Sequence, residues 1–184
     1  EDPESVSFLD ELNGWTLIGL DTLIEGAVEG DLAGEQWGWL RETVSTRTGP
    51  VAIFMHHPPV FVGSQWIDQL SLASLGIFAN LVEDFEQIKL VICGHVHQEF
   101  STQLFHADVF TTPSTCVQFK PNSHDFAVDA SAPGLRTFNL GPGDLRLATA
   151  EEMAELEQKL TAMGAGSFHM RQVRDAVARL RNSE

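Results

Sequence analysis

The stretch Leu90-Val91-Ile92-Cys93-Gly94-His95-Val96-His97 decides how the rest of this sequence is interpreted. Its first four residues are apolar and largely β-branched, which is typical of a buried strand. We expect the strand to end at Gly94, and two histidines follow with one residue between them. Because residues i and i+2 of an extended chain point the same way, both imidazoles are predicted to face one site. Neutral imidazole is a common metal ligand, although this pair alone also fits polar loop residues at a strand exit.

A second apolar run, Val51-Ala52-Ile53-Phe54-Met55, leads directly into His56-His57-Pro58-Pro59. Apolar residues at helical spacing predict one helix over about 35–45 and another over about 71–85. With an earlier strand over 15–21, the order is strand, helix, strand, helix, strand. This alternation predicts an α/β fold with parallel strands and right-handed crossovers.

After the second histidine pair the pattern changes to short alternating runs, which predict antiparallel sheet and an α+β character on this side. These runs are 100–105, 108–112, 115–119, 126–130, 135–140 and 145–149. The apolar spacing then returns to that of helices and predicts a helical hairpin, packed on the body or on another subunit. We therefore expect a domain over residues 1–149 and a helical appendage over 150–184.

The composition is strongly acidic, with a formal net charge of −15 in 184 residues. This charge argues against a nucleic acid as partner, because such proteins neutralise phosphates with Lys and Arg. No apolar run approaches the ~20 residues of a membrane helix, so no membrane contact is expected. The acidic opening residues are unlike a signal peptide, and Cys93 and Cys116 are predicted to be reduced. Together these features predict a cytoplasmic protein.

Histidines follow two of the predicted buried strands, His56 after one and His95 and His97 after the other. Parallel strands end at a common edge of a sheet, so the three side chains are expected to converge there. Convergent histidines on rigid supports favour a metal site. The proline pair after His57 stiffens the loop that holds the first histidine.

At this point the sequence resembles a known family. Residues 56–59 are similar to the H-x-P motif, and residues 94–97 to the G-H-x-H motif, of the calcineurin-like metallophosphoesterases. More narrowly, the chain resembles the bacterial class III 3′,5′-cyclic-AMP phosphodiesterases over about residues 12–148, in order. The similar segments are 66–69, 93–99, 112–121 and 132–137. Leu70 departs from this resemblance, because the family pattern leads us to expect a histidine at that position.

The resemblance implies the second half of an αββα sandwich with a two-metal centre of Fe, Mn or Zn at its edge. Carried over by motif, His56 and His95 ligate one metal and His97 ligates the other. His57 is not a ligand in this pattern, and it either faces the substrate or packs. The implied reaction is hydrolysis of 3′,5′-cyclic AMP to 5′-AMP, in which the metals polarise the phosphodiester and activate the attacking water.

The family motifs that hold the remaining ligands are absent. The chain contains no D-x-H at any position. Gly30-Asp31 matches the G-D motif in isolation, but it precedes a segment similar to a later part of the family. Residues 122–125 have one residue too many for G-N-H-D and follow the G-H-x-H motif. We therefore expect only the C-terminal portion of the family fold, and poor or no hydrolysis of cyclic nucleotides by this chain alone.

The loss of half a sandwich leaves apolar faces uncovered, which predicts self-association or a complementing chain that supplies the N-terminal half. Two other interpretations stay open. One is a non-catalytic remnant that serves oligomerisation or partner binding. The other is a single-metal histidine site with a different hydrolytic activity, which predicts about one metal per chain and loss of that metal when His97 is replaced.

Overall fold

The computed structural model describes residues 7–141, 144–147, 154–155, 158–159 and 162. A mixed six-stranded sheet forms its centre, in the order β1-β2-β3-β4-β6-β5. These strands are β1 (Phe8–Leu12), β2 (Trp15–Gly19), β3 (Val51–Met55), β4 (Ile88–Cys93), β5 (Phe100–Leu104) and β6 (Ala107–Thr111). The helices are α1 (Gly34–Ser45), α2 (Gln65–Asp68) and α3 (Leu75–Asp84).

Four neighbouring strands of this sheet are parallel, namely β2, β3, β4 and β6. The prediction of a parallel α/β core is therefore confirmed. The prediction that everything after His97 is antiparallel is wrong for β6. Because the β5–β6 hairpin places β5 at the outer edge, β6 lies beside β4 and runs in the same direction.

The two faces of the sheet are covered differently. One face packs against α1 and α3, and its side chains are fully buried, including Ile18, Ile53 and Val91. The opposite face has a small buried cluster at one end, and its other apolar side chains are only partly buried: Leu17, Phe54, Ile92 and Phe110. Side chains alternate between the faces along a strand, so one face forms a complete core and the other an incomplete one.

The remaining strands are short. They form two two-stranded sheets, one of β7 (Gln118–Phe119) with β8 (Val128–Asp129) and one of β9 (Phe138–Gly141) with β10 (Asp144–Leu147). The predicted runs 115–119 and 126–130 thus shrink to two paired residues each. Strand β1 was not predicted, since its side chains are all exposed and the acidic opening gave no burial pattern.

Two further boundaries differ from prediction. Helix α3 begins at Leu75, later than expected, because the backbone of Leu72 and Ala73 donates to Pro58 and Gly30 instead of forming a helical turn. Helix α2 was not predicted, and the segment 60–68 that contains it buries Val62 and Ile67. These side chains pack with Val96 in a small cluster beside the second histidine pair.

The predicted appendage lies mostly outside the described residues, so the division at residue 149 stays a prediction. The described residues of its first predicted helix are helical: Ala154, Glu155, Gln158, Lys159 and Ala162. Glu155 and Lys159 line one cleft with Phe54 and Ile92, which places these two residues over the incomplete face of the sheet. Within the described part of the chain, no helix has the length and apolar character needed to cross a membrane.

Candidate metal centre

Two adjacent parallel strands bring the histidine motifs together. Met55 at the end of β3 pairs with Cys93 at the end of β4, so His56 and Gly94 lie side by side. The Gly94 amide donates to the His56 carbonyl at 3.1 Å. A Cβ atom on residue 94 would lie 3.2 Å from His56 Nδ1, so glycine leaves room for the imidazole of the neighbouring strand.

Three imidazoles form a compact cluster at this edge. One ligand atom from each of His56, His57 and His95 lies within 4.8 Å of the others. The ring of His95 is centred 5.2 Å from that of His56 and 4.4 Å from that of His57. His56 is exposed, whereas His57 and His95 are buried. The structure therefore brings two of the three predicted ligands together and adds His57 beside them.

The backbone at the second motif is not extended. His95 and His97 have φ values of 61° and 49°, in the left-handed region that non-glycine residues rarely adopt. The assumption that residues i and i+2 point the same way is therefore wrong here. His95 turns into the cluster, while the ligand atoms of His97 lie outside the group of three.

His95 offers an unused ligand atom in a buried position. Its Nε2 is buried and has no hydrogen-bond partner. Burial, followed by the nearby His57, His56 and His97, lowers the pKa of His95 to about 4, and a hydrogen bond that the ring donates to the Leu70 backbone opposes this. The imidazole is thus neutral at pH 7, the form that binds metals. A buried polar atom without a partner is costly, so the residues present fit a cation at this position.

His97 also presents one free ring nitrogen. Its Nδ1 lies 2.9 Å from the Val117 carbonyl, and its ring stacks on Phe119 with centroids 4.4 Å apart. Metal-bound histidines usually donate their second N–H to a carbonyl or carboxylate, which fixes the ring. His97 therefore has the local environment of a ligand, at a position separate from the cluster of three.

His57 differs from its neighbours, because both of its ring nitrogens have protein partners. Nδ1 lies 2.8 Å from the Thr22 hydroxyl oxygen, and Nε2 lies 2.9 Å from the Val28 carbonyl. Burial is the main cause that lowers the pKa of His57, and the Val28 hydrogen bond and Glu29 oppose it.

No Asp or Glu among the described residues joins the histidine cluster. Asp31 of the isolated G-D match accepts a hydrogen bond from the Leu32 amide and another from the Ser74 hydroxyl. His124 is highly exposed and pairs with Asp125. Neither motif-like segment therefore supplies a ligand to this group of described residues.

Several residues that shape the site carry no sequence signal of their own. Val28 and Val117 contribute only backbone carbonyls, which any residue could supply at these positions. Thr22 follows β2 in a segment without periodic pattern, and its hydroxyl meets His57 only through the fold. Phe119 lies in the segment 112–121 that carries the family resemblance, so this one was within reach of sequence reasoning.

No family model matches the sequence. The chain is 41% identical over 168 residues to the 3′,5′-cyclic adenosine monophosphate phosphodiesterase CpdA of Vibrio vulnificus, a match that covers 90% of this chain and 56% of that protein. It is 36% identical to CpdA of Escherichia coli K12, over 68% of this chain and 46% of the relative. CpdA of Pseudomonas aeruginosa is 37% identical, over 71% and 48%. The chain thus spans about half the length of the curated relatives it matches.

Among solved structures, the chain is similar to a dimetal phosphatase from Danio rerio, with a TM-score of 0.50 and 14% sequence identity. The match covers 66% of this chain and 53% of that one. At this identity the likeness concerns the fold alone. It confirms the predicted fold class, a mixed α/β fold like that of the dimetal phosphatase.

Proposed function

We propose that this chain carries the histidine half of a metal-dependent phosphodiesterase centre. The proposal starts from its similarity to bacterial 3′,5′-cyclic-AMP phosphodiesterases, which it matches over about half of their length. In its complete form this centre hydrolyses 3′,5′-cyclic AMP to 5′-AMP. The proposal rests on one observation above the others. His95 holds a buried, unpartnered Nε2 beside the exposed imidazole of His56, at the edge where two parallel strands end.

The proposed ligands are His56 and His95 for one divalent ion and His97 for a second. His97 does not belong to the group of three whose ligand atoms lie within 4.8 Å of one another, which agrees with this division. Imidazole suits Zn, Fe and other transition metals, so the identity of the ion is left to experiment. When bound, such ions polarise a phosphoryl oxygen and lower the pKa of water. His56, His95 and His97 would hold the ions in place. Because burial lowers the pKa of His95 to about 4, its imidazole is neutral at pH 7 and would release no proton on binding.

We propose that this chain alone is a weak catalyst. Three histidines shared between two ions leave most coordination positions to water, and no carboxylate of the described residues belongs to the histidine group. A cleft of about 370 Å³ opens beside His56 on the incomplete face of the sheet, lined in part by Phe54, Ile92 and Thr112. Donors from an N-terminal half, supplied by a complementing chain, have room to enter there.

Metal titration tests the ligand assignment. We expect Zn²⁺ to bind the chain in calorimetry, with affinity reduced at least about tenfold by His95→Ala. His124→Ala is the matched control, because His124 is exposed and pairs only with Asp125. Equal affinity in the two variants would refute the assignment.

A second candidate function is non-catalytic: a remnant whose open sheet face serves self-association or partner binding. The absence of a carboxylate from the cluster, within the described residues, favours it. Metal content separates the candidates, because a remnant binds no ion at the histidines.

Cytoplasmic location is also proposed, and the free thiols of Cys93 and Cys116 support a reducing compartment.

A further inference from the structure

His57 joins the end of β3 to the glycine-rich segment that follows β2, here called the 22–31 segment. The Thr22 hydroxyl oxygen lies 2.8 Å from His57 Nδ1 and 3.4 Å from the His57 amide nitrogen. The Val28 carbonyl lies 2.9 Å from Nε2 on the other side of the ring. One buried side chain thus contacts this segment at both of its ring nitrogens.

These partners fix the form of the imidazole. A carbonyl oxygen only accepts hydrogen bonds, so Nε2 of His57 must carry the proton that points at Val28. Nδ1 is then unprotonated and accepts from the Thr22 hydroxyl. A ring in this state has no lone pair left for a cation, although one of its ring nitrogens lies within 4.8 Å of those of His56 and His95.

The close packing of Gly30 shows how tightly the segment is held. A Cβ atom on residue 30 would lie 2.0 Å from His57 Nδ1, so only glycine fits against the ring. Gly30 also forms a bridge with Leu72, and its carbonyl accepts from the Ala73 amide at 2.7 Å. The 22–31 segment is therefore attached both to His57 and to the residues that precede α3.

We propose that His57 is a positioning residue and not a third metal ligand. It fastens the 22–31 segment to the end of β3, and its ring holds the imidazoles of the two ligands. The ring is centred 4.9 Å from that of His56 and 4.4 Å from that of His95. Loss of the fastening frees the segment and lets His95 turn away from the metal. The part of this inference that concerns metal rests on the proposed function.

The form of the ring is tested on the unaltered chain by long-range ¹H–¹⁵N NMR of the histidine side chains, with and without Zn²⁺. We expect His57 to show the Nε2–H form in both spectra, with unchanged ¹⁵N shifts. The ¹⁵N signals of His56 and His95 should move on Zn²⁺ addition. Movement of the His57 signals with those of His95 would overturn the inference, because it would make His57 a ligand.

The fastening itself is tested without metal by hydrogen exchange in a matched pair of variants. Thr22→Val removes the hydroxyl at nearly constant volume, whereas Thr22→Ser keeps it. We expect amide exchange in the 22–31 segment to become about tenfold faster in Thr22→Val and to stay close to the original in Thr22→Ser. Equal exchange in the two variants would contradict the inference.

The two measurements also separate this inference from the proposed function. If Zn²⁺ moves no histidine signal while the Nε2–H form and the exchange difference are found, the metal assignment fails and the fastening stands. If Zn²⁺ moves His56, His95 and His57 alike, the metal site stands and the positioning role fails.

Discussion

The imidazoles of His56, His57 and His95 share one crowded edge of the sheet, and their packing keeps them uncharged. Burial is the leading cause that lowers the pKa of all three. For His95 the pKa falls from 6.5 to about 4. His56 and His95, which we propose as metal ligands, can therefore bind a cation at neutral pH without losing protons.

This packing makes the stability of the metal-free protein depend on pH. Between pH 6.5 and 4 the unfolded chain binds a proton at His95 that the folded chain does not. The free energy of unfolding must therefore rise with pH across this window and fall on acidification. We expect a decrease of about 1 kcal/mol between pH 7 and 5.5 from His95, measured by urea unfolding with chelator present.

The control for this pH dependence is a pair of glutamine variants. His95→Gln should flatten the decrease, while the exposed His124→Gln should leave it unchanged. A decrease of equal size in the two variants would show that acid destabilises the chain at some other group.

At the level of single residues, the sequence predicts which side chains matter better than where they point. The convergence of His56 and His95 could be predicted, because two apolar runs that each lead to a histidine indicate parallel strands that end at one edge of the sheet. The separate position of His97 was not readable, because it depends on two left-handed backbone positions. The role of Thr22 was also hidden, since a contact between residues 22 and 57 exists only after the sheet has formed.

At the level of elements, the segment around Arg136 is held to the sheet by one side chain. The Arg136 guanidinium donates to the Phe100 carbonyl, the Ser101 hydroxyl and the Glu99 carboxylate, at 3.1 to 3.2 Å. It also lies over the Phe110 ring. Its side chain is only 7% exposed, so water does not replace these contacts. This segment of the chain carries β9 onto the incomplete face.

We expect Arg136→Met to lower the free energy of unfolding by about 2 kcal/mol, because it removes a largely buried charged donor that three acceptors share. Thermal or urea unfolding measures the change. Arg41→Met is the matched control, because the Arg41–Asp84 pair is about half exposed and should contribute less than about 1 kcal/mol. Equal losses in the two variants would contradict a structural role for Arg136.

Elements with long-range periodicity were the ones predicted well. The parallel strands β2, β3 and β4 and the helices α1 and α3 each bury an apolar pattern that sequence spacing reveals. The predicted lengths of β7 and β8 were wrong, because most of the alternating residues in these two runs lie in loops. The direction of β6 failed because it depends on where the β5–β6 hairpin docks, which local pattern does not determine.

At the level of the whole molecule, the incomplete face of the sheet is the main unsatisfied feature of the described residues. Leu17, Phe54, Ile92 and Phe110 are only partly buried there. Strand β9 and the described tail residues line a cleft of about 580 Å³ on this face without filling it. An apolar surface of this kind favours association in water.

We expect the chain alone to self-associate through this face, with a mass above that of a monomer in light scattering. Leu17→Thr introduces a β-branched residue that suits strand β2, and it should weaken the association about tenfold through lost apolar burial. Leu23→Thr is the control, because Leu23 is 74% exposed and lies in the 22–31 segment. A well-folded monomer at every concentration would count against the prediction.

The most direct test of the central claim is cyclic AMP turnover in Mn²⁺, measured for this chain with and without the N-terminal half of the Vibrio vulnificus relative. We predict little turnover by the chain alone, a large increase when the two bind each other, and loss of that increase with His95→Ala. Turnover by the chain alone at the rate of a complete enzyme would contradict the account. So would a bound but inactive pair, or a pair whose activity survives the loss of His95.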